Sequence, residues 1–189
     1  MKKLSKKTLN KSFLSWFYGN LTCFSQEHMQ TFGYLCAMLP VVQELYDTKE
    51  EQKEALKTYS AFFNTEPQIG TLVVGITAGL EEAKANGEGI DGETINGIRA
   101  GLMGPLAGIG DTLFWTLLPT IMGSIAGYMA LEGNPIGVIL WLIVNLIFIC
   151  IRTQLMWIGY REGTKLITKV GSKLARITDA ASVLGLTVV

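Results

Sequence analysis

Little in this chain supports autonomous enzymatic chemistry. Among its 189 residues there is a single histidine, His28, and three cysteines, Cys23, Cys36 and Cys150, without a CxxC spacing. No HExxH, no cysteine pair and no acidic cluster with metal-ligand spacing occurs, so a nucleophile with its base, a zinc site and a disulfide framework all lack their parts. We therefore expect no catalytic residue, no metal and no cofactor. The cysteines read as small hydrophobes, and His28, set in an aromatic amphipathic segment, as an interfacial or core histidine. Charge is scarce as well, at 17% of residues, and it is balanced between 16 basic and 16 acidic side chains. That balance leaves no electrostatic footprint for nucleic acid. The amino terminus, MKKLSKKTLNK, is basic, yet no apolar stretch ending in a small-residue cleavage site follows, so a cleaved signal peptide is not expected. The letters GEGIDG at 87–92 fit G-x-G-x-x-G but follow a helical pattern and carry Glu88 and Asp91 where a pyrophosphate would sit, which argues against a dinucleotide site.

What the chain has in abundance is apolar length. Mean hydropathy is +0.32 with 21 glycines, and the 20 residues Thr112 to Leu131 and the 19 residues Gly133 to Ile151 carry no charge. Each is long enough to cross a hydrocarbon core. We read an all-α polytopic membrane protein in four parts: 1–47, amino-terminal amphipathic helices at the membrane surface; 48–111, a charged helix followed by membrane-buried segments; 112–151, a transmembrane hairpin; and 152–189, an interfacial basic helix and the start of a further membrane segment. For 13–46 a pair of ordinary core helices is the alternative. Thr48 with Glu51 forms a capping box, Asn64 or Thr65 can cap a helix that tolerates Pro67 in its first turn, and that helix stops at Asn86–Gly87. Its apolar part is too short to span alone, which suggests a re-entrant element. From Asp91 a further helix runs towards Gly104–Pro105, where it must kink or end. Arg161, Lys165, Lys169 and Lys173 mark one face of a basic amphipathic helix. Six small-xxx-small glycine pairs, at 75/79, 97/101, 104/108, 123/127, 133/137 and 159/163, argue for close helix packing.

Against this dry background a few polar residues stand out: Asn64, Thr65, Glu66, Gln68, Asp111, Thr112, Asn145, and Arg152 with Gln154. Ionisable groups inside a membrane are costly and by default mark a substrate path. Sugars need such a site, because amides and carboxylates can bond adjacent hydroxyls while an aromatic face covers the ring. For Asp111 the alternative role is an N-cap on a helix beginning at Thr112, and the two roles are compatible.

The words FFNTEP at 62–67, GLEEAKANG at 79–87 and INGIRAGLMGPLAGIGDTLFW at 95–115 resemble the IID membrane component of the mannose/fructose/sorbose family of the phosphoenolpyruvate-dependent sugar phosphotransferase system, in the family's order. The resemblance implies a permease subunit of the bacterial inner membrane, not an enzyme by itself. It would pair with a IIC subunit in a larger hetero-oligomer that carries a hexose inward, while soluble IIA and IIB components pass a phosphoryl group to the sugar. It further implies Asn64, Thr65, Glu66 and Asp111 as polar groups at or behind the sugar path. Family members continue beyond the point where this chain stops at Val189, and AASVLGLTVV is about half a span, so a missing carboxy-terminal part is expected. Two other readings remain: a scaffold subunit that assembles IIC without touching sugar, and a proton-coupled transporter using Asp111, which lacks a second intramembrane acid for a relay.

Topology follows from the charges. The link LEGNP at 131–135 has no Lys or Arg, whereas 152–176 holds six basic residues against the single acid Glu162, so the link should face outside and the amino terminus the cytoplasm. With Cys23, Cys36 and Cys150 replaced, an impermeant thiol reagent should label Asn134→Cys in intact cells and spare Lys165→Cys. The reverse pattern, or external labelling at both positions, would make one apparent span re-entrant.

Overall fold

In the computed structural model the backbone is described for residues 1–187 and the side chains for residues 1–163. The described residues are helical, with only two isolated bridges, Ser25–Met29 and Met29–Phe63. Helix α1 (Lys6–Thr22) starts where Ser5 Oγ accepts the Thr8 N–H at 3.2 Å. It folds back against α2 (Thr31–Leu45), and the two backbones meet at glycines: a Cβ on Gly33 would stand 2.5 Å from the Gly19 carbonyl oxygen. Inside this pair an aromatic stack forms from Trp16, Tyr34 and Phe63, with the Tyr34 and Phe63 rings 4.2 Å apart and Trp16 about equally far from both, at 6.0 and 5.9 Å. The segment 13–46 thus packs inward through Trp16, Tyr34, Met38 and Val41, while Leu14, Tyr18, Leu21, Phe24 and Phe32 remain exposed on the other side.

The capping box opens α3 (Lys49–Lys57) as expected: the Thr48 N–H donates to Glu51 Oε2 at 3.1 Å and the Glu51 N–H to Thr48 Oγ1 at 3.3 Å. A 3₁₀ turn (Thr58–Ser60) leads to the NTEP loop and then to α4 (Pro67–Ala85). The helix cap is Glu66, whose carboxylate accepts the Ile69 N–H at 2.8 Å, and neither Asn64 nor Thr65 takes that role. The reason is Pro67 at the first helical position, which makes the residue before it the cap. The helix ends at Asn86, as the sequence indicates, with Gly87 at φ 76°. It lies at the centre of the molecule, buried continuously from Val73 to Ala83.

Asp91 caps α5 (Gly92–Gly110), its carboxylate accepting the Thr94 N–H at 2.7 Å. Of the two outcomes expected at Gly104–Pro105, the helix does not end there but passes through Pro105. The cap role offered for Asp111 fails: its φ of −62° and ψ of −41° are helical, and it begins a π-helical turn (Asp111–Leu117) that runs directly into α6 (Leu118–Leu131). In lipid, breaking a helix would strand its backbone N–H groups without water, so local adjustment of the turn is preferred to interruption. The wide turn also includes Trp115, four residues before Pro119, whose carbonyl the proline ring would otherwise strike.

After the link Glu132–Pro135, α7 (Ile136–Thr187) returns, and a Cβ on Gly137 would come within 2.8 Å of Ala126 Cα. The helical stretches Gly92–Leu131 and Ile136–Gly163 each hold a window long and apolar enough to cross a membrane. Their most apolar windows are only 6% and 11% buried within the chain. A core helix of a soluble protein would be covered; these apolar faces need lipid or a partner. The backbone remains helical to Thr187, but the faces assigned to Lys165, Lys169 and Lys173, and the side chains of AASVLGLTVV, lie outside the described residues.

The tightest crossing is α4 on α7. A Cβ on Gly75 would be 2.9 Å from Tyr160 N and 3.1 Å from Gly159 Cα, and Gly159 and Gly163 meet the α4 backbone at Leu72 and Ile76 just as closely. By contrast a Cβ at Gly97, Gly104 or Gly127 meets nothing within 4 Å. Gly75→Leu or Gly159→Leu should therefore cost about 3 kcal/mol or more, read as a lower Tm of the detergent-purified protein, while Gly97→Leu should leave Tm unchanged. Equal losses at all three positions would contradict the crossing.

Candidate functional site: the NTEP loop, the π turn and an intramembrane cavity

The NTEP loop is fixed from three directions. The Phe63 N–H donates to Thr31 Oγ1 at 3.0 Å, the Thr65 N–H to Gln30 Oε1 at 3.1 Å, and Thr65 Oγ1 donates to the Met103 carbonyl at 3.1 Å. Thr65 and Glu66 are buried by this arrangement, whereas Asn64 and Asp111 remain exposed. Glu66 also touches the end of α5, for a Cβ on Gly110 would lie 2.6 Å from Glu66 Cγ and 2.9 Å from Oε2. Only glycine lets the α5 backbone come this close to the Glu66 side chain. The contact brings Glu66 to Asp111 and the π turn, two features 45 residues apart in the chain. One carboxylate oxygen of Glu66 is used for the cap, and the other, Oε1, is buried without a partner. Burial pushes this carboxyl above the usual range and the neighbouring Asp111 charge adds to the rise, while the Gln68 and Ile69 N–H groups and the Arg152 charge oppose it.

Arg152 on α7 completes the arrangement. It is 7% exposed, its guanidinium carbon lies 4.6 Å from the centroid of Phe17, and Nη2 donates to the Pro67 carbonyl at 3.4 Å. Trp16 Nε1 reaches that same carbonyl at 3.1 Å and Thr71 Oγ1 at 3.4 Å, so the first turn of α4 anchors both α1 and α7. Arg152 Nε has no partner. Beside it opens a cavity of about 330 Å³ between the π turn, α6 and α7, where Gln68, Asn145 and Arg152 face Phe114, Trp141 and Phe148. Amides and a guanidinium opposite aromatic rings can bond the hydroxyls of a neutral polyol while covering its apolar faces. Glu66 partly offsets the Arg152 charge, which makes the cavity a poorer site for an anion.

Of the four residues chosen from sequence, Glu66 and Thr65 support this region from behind, and Asp111 and Asn64 lie at the surface beside it. Gln68, Asn145 and Arg152, noted as polar residues in dry segments, are the ones that line the cavity. Other buried charges escaped the sequence reading. Arg99 is enclosed, its guanidinium carbon 5.0 Å from the Tyr34 centroid and 5.6 Å from that of Phe63, and it donates to the Ala61 carbonyl at 3.1 Å. Its position on one face with Ile95 and Leu102 was a usable signal. Glu81 accepts hydrogen bonds from Tyr59 and Tyr46 and pairs with Lys84 at 3.3 Å. Glu82 Oε2 accepts from Tyr160 at 2.7 Å and from the Leu4 N–H at 2.6 Å. Burial pushes Tyr34 up to about 12 and Tyr59 and Tyr46 well above their ordinary value, so at neutral pH these phenols are fixed donors, not proton carriers.

A profile of the mannose/fructose/sorbose family IID component of the PTS system matches residues 3–189. The chain is 38% identical over 192 residues to a sorbose-specific EIID component from Klebsiella pneumoniae, covering 98% of this chain and 68% of that one. It is 34% identical over 187 residues to the fructose permease IID component of Bacillus subtilis, with the same coverage of both chains. The mannose-specific EIID component of Escherichia coli is 36% identical over 190 residues, covering 98% of this chain and 66% of its own length. The chain thus spans about two thirds of the length of these relatives. A cryo-EM structure of the mannose transporter ManYZ in complex with microcin E492 superposes with a TM-score of 0.93 at 35% identity, over all of this chain and 69% of that one. Helix for helix and along almost its whole length, the chain belongs to the mannose/fructose/sorbose family of IID membrane components of the phosphotransferase system.

Proposed function

We propose that this chain is the IID subunit of an inner-membrane permease, with its amino terminus cytoplasmic. It pairs with a IIC subunit to form the path of a hexose of the mannose, fructose or sorbose type, which soluble IIA and IIB components phosphorylate during uptake. The observation that carries this reading is the close contact of Glu66 with Gly110, which joins the NTEP loop and Asp111 to a polar, aromatic-walled cavity inside an otherwise apolar pair of spans. A neutral sugar suits it better than an ion, because the polar groups there are amides and a guanidinium already offset by the Glu66 carboxylate. In this reading Asn64 and Asp111 meet the sugar from the surface side, Glu66 and Thr65 hold the loop behind it, and the subunit performs no bond chemistry itself.

A second reading has one observation in its favour. At Gly97 and Gly104 on α5 an added methyl group would meet nothing within 4 Å, a face open to a neighbouring helix, so the subunit could serve only to assemble IIC. Binding and uptake measurements on the assembled complex separate the two. Asp111→Asn and Glu66→Gln should each weaken sugar affinity about tenfold or more, the range for loss of a hydrogen bond to a charged group, with assembly intact. Wild-type affinity and uptake in both variants would remove these residues from the site. Gly104→Leu that disperses the complex while leaving affinity in the remaining assembled fraction unchanged would favour the scaffold.

A further inference from the structure

At the far end of α4 the amino terminus is held in place with unusual thoroughness. Chain ends are ordinarily loose unless something ties them down. Here the Lys2 N–H donates to Asn86 Oδ1 at 2.7 Å and Asn86 Nδ2 returns a bond to the Lys2 carbonyl at 2.9 Å. The Leu4 N–H reaches Glu82 at 2.6 Å, and the Ser5 N–H reaches Glu44 at 3.1 Å. Lys2 itself is spent on the Leu45 carbonyl and on Asp47, at 2.7 and 3.0 Å. The strap thereby presents Lys3 and Lys6 to a cavity of about 590 Å³ whose other wall is Trp157, Tyr160 and Arg161 of α7. The acid in this wall, Glu82, is buried and already accepts from Leu4 and Tyr160. Lys3, Lys6 and Arg161 thus line one cavity with a carboxylate that is already occupied.

The cavity lies where the apolar span ends. On α7, Arg161 follows Ile158 by one turn and Gln154 by two, and Gln154 and Ile158 end a shallow, open apolar groove of about 420 Å³ along one face of α7 that begins at Ile143 and includes Ile147, Ile151 and Leu155. A ligand matched to both must carry negative charge at one end and hydrocarbon at the other, with the Trp157 ring at the boundary, the level that tryptophan prefers. We propose that the amino-terminal strap and the end of the α7 span form a binding site for an anionic phospholipid, its phosphate held by Lys3, Lys6 and Arg161 and an acyl chain lying along the Ile147–Ile158 groove. Pinning the strap sets the cationic side chains at head-group level before the lipid arrives, which reduces the ordering cost of binding. This site is independent of the sugar path, which lies at the other end of α4.

The test uses the intact complex of this chain with its membrane partner, purified in mild detergent and examined by native mass spectrometry with phosphatidylglycerol or phosphatidylcholine added. Wild type should retain phosphatidylglycerol in preference to phosphatidylcholine, and Lys3→Ser with Lys6→Ser should weaken that retention about fivefold for each charge removed. Arg161→Gln should do the same, and Lys53→Ser, an exposed lysine on α3, should not. Inorganic phosphate at millimolar concentration should leave the lipid bound, since it lacks the chain that fills the groove. Should Arg161→Gln disturb folding, the two lysine substitutions on the exposed strap still decide, with an unchanged Tm in phosphatidylcholine as the control. Equal retention of both lipids, no effect of the lysine substitutions, displacement by free phosphate, or capture of an acidic peptide in place of lipid would each overturn the proposal.

Discussion

The backbone-to-backbone crossing of α4 and α7 at Gly75, Gly159 and Gly163 is the contact on which the rest of the chain depends. Between helices surrounded by lipid tails there is no hydrophobic drive to associate, because the tails are as apolar as leucine. What remains is close packing and the satisfaction of polar groups, and glycines permit both by removing the Cβ atoms that would hold the helices apart. With α7 drawn against α4, Arg152 comes within reach of the Pro67 carbonyl, and Tyr160 within reach of Glu82. One crossing thus brings together a polar cluster at each end of α4. Separated helices would take the Pro67 carbonyl from Arg152 and the Tyr160 hydroxyl from Glu82, and an under-bonded charge in an apolar setting is costlier than the loss of the packing itself.

The caps and the spans were legible in the sequence because their causes are local. Thr48 with Glu51, Asp91, and Asn86–Gly87 act within one turn, and the two apolar runs declare themselves by length alone. The cap of α4 was also readable in principle: Asn64 and Thr65 have better capping side chains, but Pro67 fixes the register and hands the role to Glu66. Asp111 misled for a different reason. A carboxylate among glycines is a strong cap signal in water, yet in an apolar setting the helix gains by continuing, and the chain inserts a π turn in place of a break.

What the sequence could not reveal was which charges are buried, since their partners lie far away in the chain. Glu81 and Glu82 looked like the wet end of α4, beside Lys84. Their covers come from Tyr46, Tyr59, Tyr160 and the amino-terminal strap, up to 78 residues distant. The cavity was hidden in the same way. Gln68, Asn145 and Arg152 stood out singly as polar residues in dry surroundings, but nothing in their spacing indicates that they share one cavity with Phe114 and Trp141. The resemblance of FFNTEP and its neighbours to known family words identified the region, and the packing of Glu66 on Gly110 gives the physical reason why those words belong together.

Depth gives the two ends of the structure different meanings. Trp157 and Arg161 lie near the end of the second span, where aromatic and basic residues favour the head-group level. Arg152 is nine residues back along α7, about 14 Å deeper at the rise of an α-helix, which is close to half the thickness of a hydrocarbon core of about 30 Å. An arginine near the midplane is costly and finds partners there in a backbone carbonyl and a carboxylate-bearing loop. Transporter sites concentrate at this depth because irregular backbone and charge can be tolerated there only where they line a cavity. The NTEP loop, the π turn and Arg152 meet that condition together. The basic strap lies about half a hydrocarbon thickness away, beside the end of the second span, where charge can meet water and head groups without such a cavity.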